Sequence, residues 1–146
     1  MKQIIYILLS TFLTFSACHY DYDQGFSFYN KATRDVYIYC KLGATLYPDT
    51  GIARVRVGVP FKTGESRHYT ISRSKRSIWS DVDTISLFIF DAEIFNTYSW
   101  EDIQNDYKIL QRYDISHENI KALEFEISYP PDGRMKNMKM YPPYGK

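Results

Sequence analysis

The longest apolar stretch beyond the first seventeen residues is Thr84-Ile-Ser-Leu-Phe-Ile-Phe-Asp91. Residues 87–90 offer no polar face, which predicts a strand in the middle of a sheet, covered on both sides. Ala53-Arg-Val-Arg-Val-Gly-Val59 alternates with period two, placing Val55, Val57 and Val59 on one side and Arg54 and Arg56 on the other. Pro60 limits that strand or places it at an edge. Leu123-Glu-Phe-Glu-Ile-Ser-Tyr129 alternates in the same way, with Leu123, Phe125, Ile127 and Tyr129 inward, and Pro130-Pro131 ends it. Phe26-Ser-Phe-Tyr-Asn30 and Val36-Tyr-Ile-Tyr-Cys40 predict two short strands, joined by a turn with Asn30 and Asp35 at its edges. Residues 68–72 predict another strand. Tyr47-Pro-Asp-Thr-Gly51 and Lys62-Thr-Gly-Glu-Ser66 are the turn and loop signals between them.

One stretch carries a helical period instead. Trp100, Ile103, Tyr107 and Leu110 form a single apolar stripe, with Ser99 as N-cap and Glu101 and Asp102 in the first turn. Lys108 and Arg112 would lie near its C-terminal end. Ser116-His-Glu-Asn-Ile-Lys121 predicts a second, shorter capped turn. These elements predict a mainly β protein, an Ig-like or transthyretin-like β-sandwich with one helical insertion before the last strand. The alternative is an α+β arrangement, with the helix on one face of an antiparallel sheet.

With 146 residues, 45% of them hydrophobic and 24% charged, the chain suits one globular domain. Its boundaries are expected as a signal peptide over residues 1–17, a tether over 18–25 and a single β-rich domain over 26–131. A basic tail over 132–146 follows, able to dock through Met135, Met138, Met140 and its tyrosines. Lys2 and the apolar run 4–15 form a leader too short to span a bilayer of roughly 30 Å. Ser16-Ala17-Cys18 then resembles a bacterial lipobox, although Phe15 stands where an aliphatic residue is usual. The resemblance implies cleavage before Cys18, a thioether lipid on Cys18 and acylation, for example by palmitate, of the new N-terminus. The alternative is an ordinary secretory signal cut near Ala17. Asp21 and Asp23 in the tether loosely resemble the acidic segment behind the lipid-bearing Cys of surface-exposed Bacteroidetes lipoproteins.

Removing Lys2 leaves 17 basic residues against 17 acidic ones. A neutral body has no global field to attract nucleic acid, so no such partner is expected. Cys40 is left as a small buried hydrophobe once Cys18 is lipidated; a Cys18–Cys40 disulfide is open only if it is not.

Several segments resemble a set of small Bacteroidetes lipoproteins that has no assigned activity. They are Tyr47-Pro-Asp-Thr50, Phe88-Ile-Phe-Asp91, Tyr98-Ser-Trp-Glu-Asp102, Ile109-Leu-Gln-Arg-Tyr-Asp114 and Tyr129-Pro130-Pro131. The resemblance implies an outer-membrane address, facing the periplasm or the cell surface, and an extracytoplasmic β-rich body. It brings no catalytic residues.

Candidate chemistry is sparse. The sequence holds no G-x-S-x-G, P-loop or H-E-x-x-H pattern. His19, His68 and His117 have no second ligand at a metal spacing, and Asp21-x-Asp23 and Asp81-x-Asp83 lack the rest of a calcium loop. No cofactor is expected. Glu93, Glu101 and Asp102 could converge as glycosidase-like acids, which leaves a small hydrolase as the outside reading. Arg73, Lys75 and Arg76 form a basic loop able to meet an anionic ligand. Trp79, in a turn-like segment, is the candidate exposed aromatic for a sugar, whereas Trp100 falls on the apolar stripe and suits a core. The expectation is a non-enzymatic, membrane-anchored envelope lipoprotein that works as a binding or assembly module. Its partners would be an envelope protein or a glycan, and a glycan-binding surface accessory is the alternative.

Overall fold

The structure, a computed structural model, describes residues 25–43, 58–71 and 77–146. Its elements follow the chain as β1 (Gly25–Asn30), β2 (Val36–Leu42), β3 (Ser66–Thr70), β4 (Thr84–Asp91), α1 (Ala92–Thr97), α2 (Trp100–Asn105), β5 (Gln111–Ser116), α3 (His117–Ala122), β6 (Glu126–Tyr129) and β7 (Lys139–Tyr141). Short 3-10 turns cover Ile78–Ser80 and Gly133–Met135. The strands form two sheets, β3-β1-β6 and β2-β4-β5-β7, so the protein is mainly β with a few short helices. All pairings are antiparallel except β1 with β6.

The main core lies between the sheets. Phe26 and Phe28 of β1 and Ile127 of β6 meet Val36 and Ile38, Ile85, Leu87 and Ile89, and Tyr113 and Ile115 of the larger sheet. A second cluster on the outer face of that sheet joins Phe88 and Phe90 to Ile103 and Ile109, with Phe95, Trp100 and Tyr107 packed around it. β4 is therefore buried on both faces, as its continuous apolar run predicts. Toward the start of β4 that outer face turns polar: Ser86, Arg112 and Asp114 are all buried there.

Both predicted caps are present. Ser99 accepts from the Asp102 amide, and Ser116 with Asn119 completes a reciprocal capping box. The predicted stripe, however, does not continue past Asn105. Tyr107 takes φ 47°, and the Leu110 amide donates to Ile89 O at 2.9 Å. Arg112, expected on the last helical turn, is instead a residue of β5 opposite Phe88. A second helix start, which the apolar period does not mark, lies at Asp91, whose side chain caps α1 directly behind β4.

Farther on, Glu124 and Phe125 adopt positive φ values of 54° and 58°, so strand geometry begins only at Glu126. Leu123 and Ile127 are buried; Phe125 and Tyr129 are half-buried against the same core. Residues 132–146 place Met135, Met138 and Met140 in the main core, and they add β7 to the sheet. The turn at 47–51 and the strand expected at 53–59 lie outside the described residues, apart from Gly58 and an exposed Val59.

Strand registers define two poles. Gly25 at the start of β1 pairs with Thr70 at the end of β3, and Thr84 at the start of β4 pairs with Ser116 at the end of β5. At the opposite pole β1 ends at Asn30 beside Tyr129, β2 starts beside Asp91, and β7 ends at Tyr141 beside Arg112. Eight residues of β4 separate the poles by about 25 Å, at roughly 3.3 Å per residue.

Candidate functional site

The opposite pole is assembled from the short turn between β1 and β2. Asn30 is buried at its base; its Nδ2 donates to the carbonyls of Arg34 (2.8 Å), Phe61 (3.0 Å) and Lys62 (3.1 Å), and its Oδ1 accepts from the Ala32 amide (3.1 Å). One amide side chain thus clamps the turn to the segment ahead of β3. Asp35 accepts from Lys62 Nζ at 2.7 Å and from the Thr63 amide at 3.1 Å. Its carbonyl accepts from the Ala92 amide at 3.0 Å, which ties the turn to α1. Asp91 closes the arrangement. Its Oδ1 accepts from the amides of Glu93 (2.8 Å) and Ile94 (3.3 Å), and its Oδ2 accepts from Arg34 Nη1 (2.8 Å).

Three concavities adjoin at this pole. The first, of about 480 Å³, is polar and is lined by Thr33, Arg34, Asp35, Asp91, Glu93 and Asn96 together with Ala92. The second, of about 320 Å³, shares Arg34 and Asp91 with it and is walled by Ile94, Tyr107, Ile109 and Leu110. The third, of about 390 Å³, shares Leu110 and runs between Tyr129-Pro130-Pro131 and Pro142-Pro143-Tyr144. Gln111 sits in its wall and donates from Nε2 to Pro142 O at 2.6 Å. Each volume is of the size of an ordinary small-ligand site.

Two carboxylates of the polar concavity, Asp35 and Asp91, are held below their ordinary values. For Asp35 the Lys62 hydrogen bond is the main influence; it outweighs a smaller upward push from burial and, with the Thr63 amide, keeps the carboxyl below its ordinary value. For Asp91 burial pushes upward most, but the Arg34 hydrogen bond and the Ile94 and Glu93 amides together outweigh it and leave the carboxyl below its ordinary value. A glycosidase acid needs the reverse, a carboxyl that keeps its proton. These groups are suited to accept hydrogen bonds. Of the acids singled out in sequence, Glu93 lines this concavity, while Glu101 and Asp102 lie in the first turn of α2, where Asp102 accepts from Ser99 Oγ at 2.6 Å. Among the described residues no group of three His, Cys, Asp or Glu is placed to hold a metal ion.

The other residues singled out in sequence are not gathered at this pole. Trp79 lies on the 3-10 turn before β4, half-buried against the main core, and stacks on His117 at 4.9 Å and 12°. It belongs to the pole where β1 begins. Cys18, Arg73, Lys75 and Arg76 lie outside the described residues. Trp100 packs on Phe90 and Phe95, as its place on the stripe predicts. Cys40 is a half-buried free thiol that burial pushes up to about 12, which leaves little thiolate near neutral pH.

The residues of the three concavities come from five separate stretches, so no spacing in the sequence marks them. Two copies of Tyr-Pro-Pro, at 129–131 and 141–143, are the one local signal; Tyr129-Pro130-Pro131 of the first and Pro142-Pro143 of the second line the third concavity. No family model, curated protein or solved structure matches the chain.

Proposed function

We propose that this chain is an outer-membrane lipoprotein, anchored through a thioether lipid on Cys18, whose sandwich works as a non-enzymatic binding or assembly module of the envelope. The observation that carries the reading is the row of adjoining concavities at the pole opposite the start of β1. Residues 18–24 join the body where β1 begins, at Gly25, and the concavities open at the other end of the sheets. Such a layout suits a protein held at one end and used at the other. Asp35 and Asp91, each held below its ordinary value, present hydrogen-bond acceptors at that pole. No described helix is long and apolar enough to cross a membrane.

The test compares wild type with Cys18→Ala for palmitate labelling, membrane fractionation and protease accessibility on intact cells. Wild type should take up label and fractionate with the outer membrane, and the variant should lose both. Shaving by external protease would place the body on the cell surface, and protection would place it in the periplasm. An unlabelled, freely soluble wild type would overturn the anchor.

A further inference from the structure

We infer that the three concavities are subsites of one groove that binds a neutral oligosaccharide, presented away from the membrane. The inference deepens the envelope-binding reading and rests on it. Continuity is the first ground. Arg34 and Asp91 form the common wall of the polar and central concavities, and Leu110 that of the central and proline-lined ones. A ligand running along the groove crosses from one to the next without leaving the surface.

The chemistry along the groove is the second ground. The polar subsite offers a hydroxyl at Thr33, an amide at Asn96 and ionised carboxylates, the mixture of donors and acceptors that sugar hydroxyls match. The far subsite offers the half-buried ring of Tyr129, the exposed ring of Tyr144 and four prolines, flat apolar surface for the C–H face of a sugar ring. Charge is the third ground. Arg34 is paired with Asp91, Asp35 with Lys62 and Lys108 with Asp106, at 2.7 to 2.9 Å. These pairs hold the side chains in place before a ligand arrives, and a neutral ligand can bond to their remaining lone pairs and N–H groups without parting them. An anionic or cationic polymer would have to compete for them. A peptide adding to a sheet would pair with backbone along a strand, whereas these walls present side chains.

The experiment titrates the full-length chain, in mild detergent, with neutral hexasaccharides. The probes are the β-1,4-linked glucose, mannose and N-acetylglucosamine hexamers and the α-1,4-linked glucose hexamer. Their disaccharides, a polygalacturonate hexamer and a polyproline peptide serve as comparisons. At least one neutral hexamer should bind, about tenfold tighter than its disaccharide, because more than one subsite contributes. Asn96→Ala and Tyr144→Ala, both at exposed positions in different subsites, should each weaken it by about fivefold to tenfold. Glu118→Gln, at the other pole, should leave binding unchanged. Failure of every neutral hexamer to bind, binding that ignores both groove variants, or preference for polygalacturonate or peptide would each overturn the groove. A lipidated chain that binds none of the hexamers sinks the groove and leaves the anchor standing. A chain that binds but carries no lipid sinks the anchor instead.

Discussion

The two faces of the four-stranded sheet are buried by different chemistry. Toward the smaller sheet, Ile85, Leu87 and Ile89 pack among Phe26, Phe28 and Ile127, and the buried hydroxyl of Tyr113 is satisfied by Ser128 O at 2.9 Å. On the other face Phe88 and Phe90 lie with Ile103 and Ile109, but one strand width away the burial becomes ionic. Arg112, fully buried, donates from Nε and Nη2 to Asp114 at 2.8 and 3.0 Å. Ser86 Oγ adds a bond to Asp114 at 2.8 Å, and Lys139 approaches the same carboxylate at 3.4 Å. The rings of Phe88 and Tyr141 each lie 5.5 Å from the guanidinium. Burial on the first face is non-directional and tolerates changes that conserve volume. On the second it depends on each charge keeping its partner, because desolvation of both ions is already spent.

The largest expected effect tests the ionic patch. Asp114→Ala leaves Arg112 buried without its carboxylate and should cost about 3–5 kcal/mol in urea unfolding. The double variant Arg112→Met with Asp114→Leu should recover most of that loss. A cost for Asp114→Ala below about 1 kcal/mol would equate this pair with a surface one and break the comparison. Next comes the apolar face. Leu87→Ala should cost about 3 kcal/mol by cavity formation, whereas Leu87→Met should stay under about 1.5 kcal/mol. If the two costs are equal, volume is not what that face measures.

The smallest effect lies at the end of β4, where an ion pair is only partly buried. Asp91→Asn keeps a capping side chain and removes the charge facing Arg34, so at neutral pH it should cost less than about 1 kcal/mol. The folded Asp91 lies below its unfolded value. Its contribution is therefore complete above the ordinary carboxylate range and is lost as pH falls through the folded value. Urea midpoints taken from about pH 6 down to pH 3 should converge for wild type and Asp91→Asn on the acid side. A gap that widens on acidification would reverse the sign and remove the ion pair as its cause.

The contrast also shows what local pattern can disclose. Residues 87–90 are apolar without interruption, and that run suffices to predict a strand covered on both faces. Ser99 and Ser116 cap as their neighbours imply, because capping is settled within four residues. β5 is less legible in the local pattern. Arg112 and Asp114 make its outer face look solvated, and Leu110 extends the helical stripe by coincidence of spacing. The free edge of β4 decides the matter, drawing residues 111–116 into a ladder. Of the candidate residues that the sequence offers, Glu93 sits in the groove. Trp79, the candidate exposed aromatic, is partly occupied by His117 at the other pole.

From the sequence alone came the mainly β class, the doubly buried central strand, two helix caps and the expectation of a lipid on Cys18. Each depends on neighbours along the chain, through side-chain period, capping geometry or a short processing signal. Tertiary structure alone decided where the helix stops, which face conceals an ion pair, and which pole gathers the concavities. Those depend on strand register, which brings Asn30 beside Tyr129 and Asp91 beside Val36 across gaps that no local pattern encodes.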